Sequence, residues 1–274
     1  MPLSPLTAPA PTIDPGRDGH VHTRLCLHAK GEMEDYVHAA IERGLSSLCF
    51  LEHLEVGVRY PHRTWLTEED FAYYFLEGER LRRVYGQRIE ILLGVETGWN
   101  PEAREELQRI LRRHPWDRIG ISYHYLPERE GHLNMLSHRP HNIAALRALG
   151  AAAVGRRYLE GLLEAVTELP GQVLCHLDAA LRHLGGPCPL TSHETLVGQL
   201  LDRVAARGMA LEVNSSGFDR RGSAYPARRW LRMARQRGLR LEAGSDAHLP
   251  EQVGRHFQQL PGLIASIDRE LSVS

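Results

Sequence analysis

Asp18-Gly19-His20-Val21-His22-Thr23 and Gly244-Ser245-Asp246-Ala247-His248 carry the same device far apart in the chain: two metal-ligating side chain types at i and i+2. On an extended segment such residues point to the same face, so each pair aims both of its groups one way. Each pair belongs to an apolar run of strand length, near 18–22 and near 239–243. Five more runs lie near 46–51, 89–95, 118–122, 172–175 and 210–213. Six of the seven lead into a histidine or an acid: His20 and His22, His53 (through Glu52), Glu96, His124, His176, and Asp246 with His248. The remaining run ends on Asn214. Polar groups at the carboxyl ends of nearly all strands converge only if the strands form a ring. An open sheet would spread them across its width. The expected fold is α/β, a TIM-like barrel with seven strands instead of eight.

The segments between these runs have helical spacing, which makes the strands parallel and the helices their crossovers. Asn100-Pro101-Glu102 reads as an N-cap, a first-turn proline and an acidic first turn ahead of Leu107, Ile110 and Leu111. Thr191 and Glu194 read as a capping box before Leu196, Val197, Leu200, Leu201 and Val204, with Gly208 as the stop. Gly44 and Gly238 close two other helices just before strands.

Composition bounds the function. The chain has 274 residues, 42% hydrophobic and 24% charged, enough for one large domain with a substantial core. A formal net charge of −1 gives no whole-protein field for nucleic acid or anionic membrane, and no apolar run is long enough to span a bilayer. The opening stretch MPLSPLTAPAPTIDPGR has five prolines and none of the features of a secretory signal, so residues 1–17 are expected as a disordered leader and the protein as cytoplasmic. Cys26, Cys49, Cys175 and Cys188 show no C-x-x-C spacing, and reduced buried thiols are expected at Cys49 and Cys175. Lys30 is the only lysine. Of the 16 histidines, those at 38, 62, 114, 132, 138, 141, 183, 193 and 256 lie in polar or helical contexts, where solvated surface positions account for most.

The other seven histidines, with Glu96 and Asp246, are a donor set of imidazole nitrogen and carboxylate oxygen that suits zinc, iron or manganese. One H-x-H on a surface strand would mean little. Its repetition as D-x-H, with four further strand-end donors, makes a metal-dependent enzyme the expectation.

These segments resemble the polymerase and histidinol phosphatase (PHP) superfamily, in its histidinol-phosphatase branch. The matching pieces are DGHVHT at 18–23, CLHAKG at 26–31, LEH at 51–53, GVE at 94–96, ISYHYL at 121–126, CHLD at 175–178, NSSG at 214–217 and GSDAH at 244–248. The C-x-H-A-x-G piece is what selects that branch. The resemblance implies the distorted (β/α)7 barrel of the PHP fold over 18–274, as a single domain. It implies two to three divalent metals: one on His20, His22, Glu96 and Asp246, a second on His28, His53 and His248, a third on His124 and His176 with Glu96 bridging. It further implies hydrolysis of a phosphate monoester, L-histidinol phosphate, in histidine biosynthesis, by a metal-bridging hydroxide without a phosphoenzyme.

Arg182, just after CHLD, is a candidate phosphate clamp through bidentate contacts. Where an arginine is expected two residues after the NSSG glycine, Asp219 stands instead, so Arg220 or Arg221 is the expected substitute. Asp178 is expected to orient a ligand histidine or manage a proton. The segment EREGHLNMLSHRPHN after His124 should line the pocket mouth, and it does not match the acidic and aromatic pattern expected around histidinol. Glu52 replaces an aspartate usual before that histidine.

Three other readings compete. An amidohydrolase would bridge its metals through a carboxylated lysine at mid-barrel, and Lys30 comes too early in the chain for that. A nuclease or nucleotide phosphoesterase on the same barrel would use the arginine-rich stretches near 80–88 and 228–240, for which charge gives no positive support. A binding barrel that keeps metals only for stability is the non-catalytic reading.

Overall fold

Strands β1 (Arg17–Val21), β2 (Ser47–Glu55), β3 (Glu90–Gly98) and β4 (Arg118–Ser122) pair in chain order and all in parallel. A short antiparallel hairpin, β5 (Tyr125–Glu128) and β6 (Gly131–Asn134), interrupts them. The sheet resumes with β7 (Val173–Leu174), β8 (Ala210–Asn214) and β9 (Leu241–Gly244), giving the order β1-β2-β3-β4-β7-β8-β9. The computed structural model describes residues 13–184 and 190–273. Its seven parallel strands form a nearly closed barrel, as the strand-end residues require. Closure rests on one parallel bridge just past β9, between Val21 and Ala247. There the His22 N–H donates to the Ala247 carbonyl at 2.9 Å, and the Asp246 N–H to the His20 carbonyl at 2.8 Å.

The helices are α1 (Met33–Glu42), α2 (Glu68–Tyr85), α3 (Arg104–Arg113), α4 (Pro140–Leu149), α5 (Ala151–Glu168), α6 (Glu194–Ala206), α7 (Gly217–Arg221), α8 (Arg228–Gln236) and α9 (Leu260–Val273). Their apolar faces supply the main core: Leu107, Ile110 and Leu111 from α3, Tyr158, Leu159 and Leu162 from α5, Trp230 and Leu231 from α8. A separate small cluster of Cys49, Leu51, Val173, Cys175 and Ala210 packs from β2, β7 and β8. Cys49 and Leu51 alternate in register with His53 and Glu55 on β2, so the face that is apolar low in the strand becomes polar at its carboxyl end.

Several expectations shift. Strands β2 and β3 run three or four residues further than their apolar stretches, because this end of the barrel is lined by polar side chains. Thr191–His193 is a 3-10 turn and α6 starts only at Glu194, with His193 at the N-cap, so the capping box is not the device that starts it. Asn100 does cap, accepting from the Glu102 N–H at 3.1 Å, but it caps a 3-10 turn that precedes α3. Of the expected leader, residues 1–12 lie outside the described residues. The rest belongs to the body: Ile13 is buried in the core, and Gly16 accepts from the Ser46 N–H at 2.8 Å.

The arginine-rich stretches are largely committed to acids. Arg80 pairs with Glu77 and Glu34, Arg82 with Glu79 and Asp117, Arg235 with Asp268 and Arg237 with Asp202. Among the described residues no helix is long and apolar enough to cross a membrane. Cys26, Cys49 and Cys175 are free and buried, and Cys188 lies outside the described residues.

Candidate metal centre

All nine candidate ligands meet at the carboxyl-terminal mouth of the barrel. Two adjacent strands in register put His53 beside Glu96 and Glu55 beside Gly98. Glu96 is fully buried and central. Its Oε1 lies 2.7 Å from His176 Nε2 and 3.2 Å from His124 Nε2. Its Oε2 lies 2.8 Å from His53 Nδ1 and 3.6 Å from both His20 Nε2 and His22 Nε2. One carboxylate thus faces two sets of imidazoles, one with each oxygen. Asp246 adds a second anion, its Oδ1 3.4 Å from His22 Nε2 and 3.5 Å from His248 Nδ1.

The outer nitrogens of the rings decide what the inner ones can do. His28 Nδ1 lies 3.1 Å from the Cys26 carbonyl and His248 Nδ1 lies 3.0 Å from the Asp246 carbonyl. A carbonyl only accepts, so both Nδ1 atoms carry the proton and both Nε2 atoms present lone pairs. Those two Nε2 atoms face each other at 2.8 Å. Two lone pairs at that distance with no proton between them repel, and a shared cation relieves them. The deeper histidines are backed by acids instead. His20 Nδ1 donates to Glu212 at 2.6 Å and His124 Nδ1 to Glu55 at 2.7 Å, leaving each Nε2 lone pair directed toward the centre. Glu96 Oε2, His22 Nδ1 and His176 Nδ1 are buried without a hydrogen-bond partner. Groups such as His20–His22–Asp246, His22–His53–His248 and His20–Glu96–His176 each bring three donor atoms within 4.8 Å of one another. Imidazole nitrogens and carboxylate oxygens converging in a buried site fit divalent metals.

Electrostatics follows the same division. Burial disfavours charge on His124, but Glu96 and Glu55 outweigh it and push the ring up to about 10. Burial likewise opposes Glu212 and Glu96 at His20, and the two acids win, raising it well above the ordinary imidazole range. On the outer side burial comes first, helped by neighbouring rings, and takes His28 down to about 3. His248 falls to about 4, again through burial, which outweighs Asp246. Glu96 stays well below the usual carboxylate range because the surrounding histidines overcome its burial.

The supporting acids Glu55 and Glu212 do not stand out in the sequence as apolar-to-polar strand ends. Their signal is a lone glutamate in period-two register inside a strand, as in Leu51-Glu-His-Leu-Glu55 and Ala210-Leu-Glu-Val-Asn214. Each fits against a glycine of the neighbouring strand. A Cβ on Gly98 would sit 2.0 Å from a Glu55 oxygen, and one on Gly244 would sit 2.0 Å from a Glu212 oxygen. Backbone conformation is also unusual here, with φ of 21° at His176 and 50° at Asp246, two of the four described non-glycine residues at positive φ. Glu52 accepts from both the N–H and the hydroxyl of Thr23, at 2.8 and 2.5 Å, tying the exit of β1 to β2.

Above the metal ligands lies a cavity of about 480 Å³, whose wall includes Arg182 and Arg220 together with Arg139, Arg255, His62 and His138. Arg182 is anchored by donation to the Leu136 carbonyl at 2.7 Å, and the segment after His124 does form part of this wall through Asn134 to Arg139. Arg255, which the sequence did not single out, is held by Asp219 at 3.0 Å, the very residue that departs from the expected pattern. Arg221 and Asp178 depart from the roles expected of them. Their side chains pair with each other at 3.1 and 3.2 Å, Arg221 stacks 4.0 Å over Tyr225, and Asp178 also accepts from the Ala227 N–H. That pair, 43 residues apart in sequence, pins the end of α7, which follows β8, to the turn after β7 and orients no ligand histidine.

Comparison with known proteins agrees with this geometry. The chain is 30% identical over 248 residues to a "Probable histidinol-phosphatase" of Deinococcus radiodurans, covering 88% of this chain and 89% of that protein. It is 26% identical to the histidinol-phosphatase of Bacillus subtilis, covering 88% and 97%. The solved structure of histidinol phosphate phosphatase from Lactococcus lactis, in complex with zinc, L-histidinol and phosphate, superposes with a TM-score of 0.77 at 20% identity, covering 92% of this chain and 93% of that one. The PHP domain model matches residues 18–216 and a PHP-associated model matches 226–269. With its donor set on a seven-stranded barrel and a match over most of its length, the chain belongs to the PHP domain family.

Proposed function

We propose that this protein is a metal-dependent phosphoric monoester hydrolase that converts L-histidinol phosphate to L-histidinol and phosphate. The observation that carries the reading is Glu96, whose two oxygens face two separate sets of histidines in a fully buried setting. His20, His22, Glu96 and Asp246 would hold one metal, His28, His53 and His248 a second, and Glu96, His124 and His176 a third. Divalent metals held by these residues would lower the pKa of water toward about 7 and would offset charge on a phosphoryl group.

The chain's own residues do the rest. Glu55 and Glu212 hold His124 and His20 in the tautomer that keeps the inner nitrogen free. Arg182 and Arg220 line the cavity, and burial, helped by the Arg220 charge, takes Arg182 down to about 10. A phosphate dianion in the cavity would offset that cost at Arg182. Two of the relatives named above carry the name histidinol-phosphatase, one of them as probable, and the Lactococcus lactis structure holds L-histidinol and phosphate, which supports the same substrate here. The paired arginines of α2 and α8 give the nuclease reading no support.

The test is phosphate release by the purified protein. Turnover of histidinol phosphate should exceed that of nucleotide monophosphates and single-stranded oligonucleotides. It should vanish with a chelator and return with Mn²⁺ or Zn²⁺. Equal or better turnover of the nucleotides would overturn the substrate, and no turnover of any phosphoester by metal-replete protein would overturn the enzyme.

A further inference from the structure

We propose that Cys26 is a ligand of the outer metal, its sulfur joining His28 and His248 on one soft divalent cation such as zinc; this rests on the metal centre described above. The Cys26 sulfur and one ring nitrogen of each histidine lie within 4.8 Å of one another. Two donors on one tetrahedral zinc stand roughly 3.5 Å apart, given Zn–N and Zn–S bonds of about 2.0 and 2.3 Å, so a small inward movement completes the group.

The local backbone is built to put sulfur and imidazole side by side. Arg24–Cys26 is a single 3-10 turn, started by the Thr23 side chain and ended by Leu27 at φ 67°, a left-handed conformation that leucine adopts only under constraint. That reversal lets the Cys26 carbonyl fix the His28 tautomer while its own side chain is fully buried. Charge gives an independent reason. Apart from Cys26, the nine candidate ligands offer only two anions, Glu96 and Asp246, against four to six positive charges. The His28–His53–His248 group contributes three neutral donors, and a thiolate is the anion it lacks.

The other cysteine near a candidate ligand shows the difference. Cys175 lies within 4.8 Å of His20 and Glu212, but His20 Nδ1 there donates its proton to Glu212 and has no lone pair to share. Beside Cys26 the two histidines direct free Nε2 lone pairs at each other. Coordination exchanges the S–H bond for a metal–sulfur bond and releases one proton to solvent, with no change of oxidation state.

Cobalt(II) substitution of the full chain tests this without relying on activity. The loaded protein should show visible ligand-field bands together with a near-ultraviolet sulfur-to-cobalt charge-transfer band. Cys26→Ser should remove the second and keep the first, while Cys49→Ser and Cys175→Ser leave both. Ligand-field bands without charge transfer would overturn the thiolate and leave the metal centre standing. Absence of both would overturn the two readings together, and a charge-transfer band that survives Cys26→Ser would assign it to another thiol and overturn the proposal. Should Cys26→Ser not fold, X-ray absorption of the zinc-loaded native protein decides, with a sulfur shell near about 2.3 Å expected. A shell of nitrogen and oxygen alone would overturn it.

Discussion

The deep and outer sides of the metal centre use the same ring chemistry with different backing, and the difference sets what each can do. On the deep side His20 and His124 lean on buried carboxylates, Glu212 and Glu55. On the outer side His28 and His248 lean on backbone carbonyls. A carboxylate raises the basicity of the ring and so the strength of its bond to a metal, whereas a carbonyl fixes the tautomer and adds no net charge. Ring backing alone therefore favours tighter metal binding on the deep side, and a Cys26 thiolate would offset that difference on the outer side.

Glu96→Gln breaks the contrast altogether. It keeps the shape and removes the anion proposed to be shared by both inner metals, so metal analysis should find two ions lost and activity reduced by about 10³-fold, as when a group aimed at the transition state is deleted. Loss of only one ion would mean the carboxylate does not bridge. Glu212→Gln and Glu55→Gln should turn the deep side toward the outer kind. Each is expected to weaken metal affinity by about 10- to 100-fold, read by competition with a chelator. Unchanged affinity would make these acids structural.

Gly244→Ala reaches the same ring by crowding. Its methyl group would displace Glu212 and meet His20 Cβ at 2.9 Å, so metal affinity should fall together with a loss of about 1–3 kcal/mol in stability. Destabilisation with normal affinity would show that Glu212 keeps its bond to His20. His28→Ala should do least, weakening the outer ion alone and leaving the deep pair filled. If instead it empties the centre, the two sides are not separable.

The metal-stripped protein offers a pH version of the comparison. His124 is raised to about 10 from an ordinary 6.5, so its contribution to stability is fully present below pH 6.5 and is lost as pH rises through about 10. His28 and His248, lowered to about 3 and about 4, act in the opposite direction. The unfolded chain binds protons below pH 6.5 that the folded one refuses, so stability falls with acidification until those values are passed. Melting temperature measured across this range should drop on both flanks, and adding zinc should flatten the curve. A flat profile without metal would contradict the assigned environments.

Much of this site was legible because a barrel strand announces its carboxyl end by a change from apolar to polar. His20, His22, His53, Glu96, His124, His176, Asp246 and His248 were all found that way, and the resemblance added His28. The same rule hid Glu55 and Glu212. Strand β2 was expected to stop at Leu51 because Glu52 is polar, yet its inner face continues as His53 and Glu55. The hairpin β5–β6 was not anticipated, since its strands are only four residues each and mix Pro127 with charged side chains. The Asp178–Arg221 pair joins two segments far apart in sequence, a contact that no local pattern encodes. Arg255 escaped for the same reason, its position near the cavity being fixed by Asp219 across 36 residues.

The single bridge that closes the barrel has a consequence for how the molecule assembles. Asp18 and Ser245, joined at 2.9 Å on this seam, are 227 residues apart, so almost the whole chain must be in place before the ring can shut. His20 and His22 stand on one lip of the seam, Asp246 and His248 on the other. An ion captured there acts as a clasp on a very long loop, whose closing entropy grows only slowly with length. Metal supply would then set the folding yield as well as the reaction, and apo chains would wait as open rings.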